Sequence, residues 1–134
     1  GVIGHSMGGG AAVLAAASDP GLALLVGLAP AETNPSATAA AIQVTQPTLV
    51  LTGSRDCVTP FTSHAGPILA TLSSTSIRHV DLAGGSHCQF SDGYFTCATI
   101  PEADQHAVTV REIRDWLDAV IAGQSPEFAD GFED

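Results

Sequence analysis

Residues 4–10 read Gly-His-Ser-Met-Gly-Gly-Gly, and the first five fit G-x-S-x-G, a strand-to-helix turn that exposes a serine hydroxyl. This constrains the fold more than any other stretch, because such a turn needs a strand before it and a helix after it. Gly4 and Gly8 flank a tight bend in which the serine backbone is strained and side chains would collide. Val2-Ile3 is the stub of the strand. Met7–Ser18 reads as an alanine-rich helix, closed by Asp19-Pro20-Gly21, a strong stop signal. G-x-S-x-G alone is a weak signal, since glycine is common. The extended motif between a strand stub and a small-residue helix is stronger.

The rest of the chain continues the alternation. Leu22–Ala29 is an apolar run of strand length, as a parallel strand covered on both faces would be. Residues 30–46 read as a loop with a short helical turn around Thr38–Ile42. Thr48–Thr52 is a strand, with Pro47 tolerated at its start. Ser63–Leu72 is expected to be helical and Ile77–Leu82 a strand. Ser86–Asp104 reads as a long polar and aromatic loop. The last helix is expected over His106–Ala122, with Val110, Ile113, Leu117, Val120 and Ile121 at helical spacing and Gly123 at its end. An acidic tail, Gln124 to Asp134, follows. The order strand, helix, strand, strand, helix, strand, helix indicates an α/β architecture with a parallel sheet.

Charge narrows the partners. Four arginines and no lysine face 14 acidic residues, for a formal net charge of −10. Phosphate neutralisation needs a cationic footprint, so nucleic acid is not an expected partner. Nor is an anionic membrane surface. With 45% hydrophobic and 13% charged residues in 134, the chain suits one packed domain, residues 1–123, rather than disorder. Cys57, Cys88 and Cys97 have no C-x-x-C spacing that would suggest zinc or a redox pair. Cys88 and Cys97 flank a loop and could form one disulfide in an exported protein; three reduced thiols is the other reading.

In an open parallel sheet, chemistry gathers beyond the carboxyl ends of the strands. Ser6, Asp56 and His87 follow the first, third and fourth strands. A serine hydroxyl needs a base to take its proton, which histidine can do near neutral pH. The histidine needs a carboxylate to hold its tautomer and stabilise the imidazolium. Ser6 is thus the candidate nucleophile, His87 the base and Asp56 the acid, and the Met7 amide at the helix N-terminus is a candidate oxyanion donor. Asp81 and Asp92 are rivals for the acid, but Asp56 sits in a strand-end Gly-Ser-Arg-Asp that suits the orienting role. His5, inside the turn, is expected to pack or to touch the cleft. His64, His79 and His106 read as surface or boundary residues without metal-ligand spacing to a carboxylate. Phe90, Tyr94 and Phe95 form either a cleft wall or a small satellite core, and Trp116 packs in the core. No cofactor or metal is expected.

The segments "GHSMGGG", "QPTLVLTGSRDCVTP", "GGSHCQFSDG" and "VREIRDWLDAVI" together span nearly the whole chain. They resemble the C-terminal half of an α/β-hydrolase of the lipase/esterase kind, and within it the cutinase-like and PET-hydrolase-like polyester hydrolases. Chlorophyllases and dienelactone hydrolases are more distant relatives. The resemblance implies a Ser6–Asp56–His87 triad, a Met7 oxyanion amide and Val58 lining the acyl cleft, with His5 either packing or making a minor cleft contact; Phe90 is a further candidate for the lining. It also implies a secreted or periplasmic enzyme, monomeric at full length, acting on a small or polymeric ester through an acyl-enzyme.

Three departures accompany the resemblance. Ala31 follows Pro30 where that family often has an aromatic wall. A Cys57–Cys88 bridge would resemble a disulfide of some polyester hydrolases, although the cysteines there are offset differently, and Cys88–Cys97 competes with it. The strands that precede the serine turn in this fold, and the early loop that supplies the second oxyanion donor, do not appear, so the chain reads as part of a longer enzyme. Other readings are an acyltransferase, thioesterase or serine peptidase on the same fold, a binding module, or a piece inert in isolation. The short segment 30–46 leaves no room for a lid, which implies an open cleft for short acyl chains or accessible polymers.

Overall fold

A computed structural model describes residues 1–93 and 97–123. The acidic tail and the side chains of Tyr94 and Phe95, on which expectations were placed, lie outside the described residues. Four strands, β1 (Val2–His5), β2 (Leu25–Leu28), β3 (Thr48–Gly53) and β4 (Ile77–Leu82), form one sheet in the order β1-β2-β3-β4. All three pairings are parallel, with Gly4 opposite Gly27, Val50 opposite Gly27 on the other side, and Val50 opposite His79.

Helices α1 (Met7–Ser18), α2 (Ala37–Ala41) and α3 (Ala65–Thr71) cover one face, and α4 (Glu102–Ile121) covers the other. Strand side chains alternate between faces. Leu25 therefore packs with Ala12, Val13, Ala16 and Ile68, while Leu24, Val26, Leu49 and Leu51 pack with Trp116. All six residues of β3 are buried, as befits a strand covered on both faces.

Several boundaries differ from the sequence expectation. The second strand is shorter than Leu22–Ala29, because Leu22 to Leu24 precede its paired register with β1. The last helix begins a turn early, at Glu102. Pro101 precedes it, and Glu102 and Asp104 in its first turn suit the positive end of the helix dipole. Its inward row is Gln105, Thr109, Glu112 and Trp116, with Val108, Ile113, Leu117 and Val120 alongside. Val110 and Ile121, expected on the apolar stripe, point outward and are 56% and 80% exposed. Three polar side chains hold inward positions where an apolar count looks for aliphatic ones.

Candidate active site

The turn after β1 is built by close approach. A Cβ on Gly4 would sit 2.0 Å from the Gly8 carbonyl oxygen, so only glycine lets the strand end lie against the first turn of α1. Ser6 at its apex has φ 58° and ψ −124°, a conformation that L-residues hold only when the surroundings enforce it. The surroundings do so through four backbone bonds. The Ser6 N–H donates to the Leu28 carbonyl at 2.9 Å, and the Ser6 carbonyl accepts from the amides of Gly9, Gly10 and Ala31. Met7, first in the helix, has no intrahelical acceptor for its N–H, and its side chain is 74% exposed.

The loops after β3 and β4 are fastened to each other. The Arg55 amide donates to the Gly85 carbonyl, the Ser54 amide to the Leu82 carbonyl, and the Gly84 amide to Ser54 Oγ. Gly53 and Gly85 lie so close that a Cβ on Gly53 would be 2.5 Å from the Gly85 carbonyl group. From the other side, fully buried Gln105 on α4 accepts from the Ser86 amide and donates to the Ser86 carbonyl, at 2.9 and 2.8 Å.

These constraints bring Ser6, His87 and Asp56 into one hydrogen-bonded line. His87 Nε2 lies 2.8 Å from Ser6 Oγ, and His87 Nδ1 lies 2.9 Å from Asp56 Oδ2. An ionised carboxylate only accepts, so the imidazole proton belongs on Nδ1 and the Nε2 lone pair faces the serine hydroxyl. Both side chains of this hydrogen-bonded pair are nearly buried, 6% exposed for His87 and 4% for Asp56. Burial pushes the Asp56 carboxyl up. Hydrogen bonds from His87, from the Thr59 amide and hydroxyl, and from the Val58 amide more than offset this and leave it below its ordinary value.

His5 contacts His87. Its Nε2–H donates to the His87 carbonyl at 3.1 Å, and the two rings lie 4.7 Å apart. Burial, and the neighbouring His87 after it, hold the proton affinity of His5 below the usual histidine value. Phe90 packs against the Trp116 side of the core and places its ring 6.0 Å from that of His5. Val58, 44% exposed, donates its amide to Asp56 Oδ1 at 2.8 Å. Asp81 is engaged elsewhere, accepting from Thr52 Oγ1 at 2.9 Å, and Thr52 also bonds His79 Nε2 at 2.8 Å. His64 accepts the Glu32 amide through Nδ1.

Among the described residues, Asp92, Glu102 and His106 place one ligand atom each within 4.8 Å of one another. His106 therefore does meet carboxylates, contrary to expectation. Both carboxylates are exposed, which is how hydrated surface acids behave.

The disulfide expectation is corrected. Cys57 pairs with Cys97, and Cys88 is unbonded. Cys88 opens a 3-10 turn, Cys88–Phe90, and the backbone at Gly93 closes over its Cβ. Cys97 instead lies 6.2 Å (Cα–Cα) from Cys57, a normal bridging distance.

Sequence reasoning passed over Thr59 and Gln105. Thr59 is 7% exposed and bonds both Asp56 and His87. Its signal is the D-x-x-T spacing, in which a carboxylate accepts from the amide and hydroxyl three residues on. Gln105 carries no comparable signal, since its partner is 19 residues away.

The PETase family profile, described as PET hydrolase-like, matches residues 1–114. The chain belongs to this family. The family member is 39% identical over 88 residues to the bis(hydroxyethyl) terephthalate hydrolase of Streptomyces coelicolor, covering 65% of this chain and 27% of that protein. It is 36% identical over 87 residues to a cutinase of Thermobifida fusca, covering 64% of this chain and 28% of that protein. The chain thus spans less than a third of the length of these curated relatives. Its fold is that of the α/β hydrolases. A Paleococcus ferrophilus monoacylglycerol lipase superposes with a TM-score of 0.65 at 16% identity, over 85% of this chain and 67% of that one. A CIB-like hydrolase of Thermoplasma acidophilum superposes with a TM-score of 0.62 at 22% identity, over 84% and 49%.

Proposed function

We propose that the protein carrying this chain is a serine carboxylic-ester hydrolase. Ser6 is the nucleophile, His87 the general base and acid, Asp56 the orienting carboxylate, and the Met7 amide one oxyanion donor. The observation that carries this reading is the line from Ser6 Oγ through both imidazole nitrogens to a buried carboxylate, on a serine held at positive φ at a helix start. Ser6 Oγ attacks the ester carbonyl as its proton passes to His87 Nε2. Asp56 stabilises the imidazolium that forms, and the proton then goes to the leaving alcohol. Water, deprotonated by His87, releases the acid from the acyl-enzyme.

The family and the relatives named as cutinases and a terephthalate-ester hydrolase support esters as the substrate class, polyester included. Met7 and Val58, exposed apolar side chains next to the nucleophile and the acid, suit an open cleft with His5 and Phe90 behind it. The Cys57–Cys97 disulfide supports an oxidising compartment, outside the cytoplasm. Residues 1–123 are read as part of a single α/β-hydrolase unit, monomeric at full length.

The test is labelling by a fluorophosphonate with the adduct located by mass, beside turnover of p-nitrophenyl butyrate and bis(hydroxyethyl) terephthalate. Labelling confined to Ser6, with turnover reduced about 10⁴-fold or more in Ser6→Ala and His87→Ala, is expected. Wild-type turnover by Ser6→Ala would overturn the proposal.

A further inference from the structure

We infer that Thr59 is a fourth, positioning member of the Ser6–His87–Asp56 line, an assignment that rests on the hydrolase reading above. Its Oγ1 lies 2.8 Å from Asp56 Oδ2 and 2.8 Å from His87 Nδ1, while those two atoms lie 2.9 Å apart. Three polar atoms thus form a nearly equilateral triangle in a buried place, and their protons can be assigned.

The threonine hydroxyl has one proton and two acceptors in reach, Asp56 Oδ2 at 2.8 Å and the Ala29 carbonyl at 3.4 Å. The nearer, ionised acceptor takes it. Oγ1 then turns a lone pair toward His87 Nδ1, which must supply the proton of that contact. The Nδ1–H is therefore shared between Asp56 Oδ2 and Thr59 Oγ1. The alternative tautomer would set a bare Nδ1 lone pair against the carboxylate oxygen, and would leave Nε2 unable to accept from Ser6. Thr59 also donates its amide to Asp56 Oδ1 at 2.7 Å, beside the Val58 amide at 2.8 Å. The carboxylate therefore receives bonds on both oxygens and cannot rotate away from the imidazole.

The consequence for the reaction follows from charge. When Nε2 takes the serine proton, positive charge spreads to Nδ1–H, and two oxygens rather than one face it. The hydroxyl bond strengthens in that state, and Thr59 meets the imidazole at Nδ1, away from the Nε2 that faces Ser6. Loss of the hydroxyl should lower kcat and leave KM alone.

The experiment compares Thr59→Val, which keeps the volume and the amide, with Thr59→Ser, which keeps the hydroxyl, in the whole protein. A hydrogen bond to a charged group sets the scale: Thr59→Val is expected to lose about 10- to 100-fold in kcat with KM within about twofold. Thr59→Ser is expected to recover most of it. The downfield proton resonance of His87 Nδ1–H, assigned by its loss in His87→Ala, should move in Thr59→Val and return in Thr59→Ser. Thr59→Ala gives the same comparison should Thr59→Val fold poorly. Wild-type kcat in Thr59→Val, or an unmoved resonance in that variant, overturns the inference. If the wild-type protein turns over no ester yet the resonance moves as described, the hydrogen-bond assignment stands and the hydrolase reading falls.

Discussion

Opening the Cys57–Cys97 disulfide removes a tether across a sequence separation of 40 residues that joins the acid loop to the segment after the base. On the chain-entropy model the bridge lowers the entropy of the unfolded chain by 2.1 + 1.5R ln n, which for n near 40 is about 13 cal/mol/K. That is about 4 kcal/mol at 25 °C. At about 2–4 °C per kcal/mol for chains of this size or larger, the midpoint should fall by roughly 8–16 °C. The perturbation is Cys57→Ser/Cys97→Ser, with Cys88→Ser as control, followed by thermal and urea unfolding. Non-reducing peptide mapping by mass reports the pairing directly. Cys57 is the residue after Asp56, so the tether also limits how far the carboxylate can wander. Fluorophosphonate labelling of Ser6 should therefore slow in the double variant below its unfolding midpoint, and not in Cys88→Ser. A double variant that melts with the wild type, or a bridge that contains Cys88, would refute the reasoning.

Further outcomes are expected. Gly4→Ala should cost at least about 2–3 kcal/mol in urea unfolding, because its Cβ would meet the Gly8 carbonyl oxygen at 2.0 Å. Gly8→Ala, with nothing within 4 Å of the added carbon, should be neutral or stabilising by up to about 1 kcal/mol. Asp56 has its folded carboxyl held below the ordinary 3.8, so as pH falls the unfolded chain takes up that proton first. Its contribution is complete above that value and is lost as pH falls through the folded value. Asp56→Asn should flatten stability against pH below about 4, as followed by chemical denaturation. Arg78 binds Glu112 Oε2 through Nε and Nη2 at 3.1 and 2.8 Å, tying β4 to α4, and the Glu112 side chain is 8% exposed. Arg78→Met should destabilise by about 1–3 kcal/mol, while the double variant Arg78→Met/Glu112→Leu should recover part of that.

What the sequence made legible, and what it hid, divides along a physical line. β3, the stop at Asp19-Pro20-Gly21 and the turn at Ser6 follow from local composition, and the serine motif together with strand-end position singles out Ser6, Asp56 and His87. Gln105, Thr109 and Glu112 were hidden because polarity was taken to mean exposure. Gln105 is buried because the oxygen and the nitrogen of its side-chain amide are both satisfied by Ser86, a partner no local pattern reveals. Missing that row also misplaced Val110 and Ile121. The cysteine pairing depended on the path of the chain between Cys88 and Cys97, and spacing cannot encode a path. Thr59 was hidden for a different cause. It lies within three residues of Asp56, but its worth comes from His87, which is 28 residues away.

The sheet order shows why so many cross-links converge on the loops. β1 and β4 stand at opposite ends of four strands, about 14 Å apart at the usual strand spacing of about 4.8 Å. Ser6 ends β1 and His87 follows β4, yet their side-chain atoms are 2.8 Å apart. Two side chains cannot span that gap, so the loop after β4 must run back over the carboxyl ends of β3 and β2. A loop that arches in this way has no strand pairing to hold it. The Gly53–Gly85 approach, the Arg55 and Gly84 amide bonds, Gln105 and the Thr59 bridge supply that hold instead. On this account His87 is placed by the acid loop and by α4, while Ser6 is placed by β1 and α1. Substitutions in the first group should therefore disturb the imidazole while leaving the strained serine turn intact. The Ser6 backbone amide resonance should hold its position in Gln105→Met and Thr59→Val while that of His87 moves. Equal movement of both would mean that the two halves of the site are not held separately.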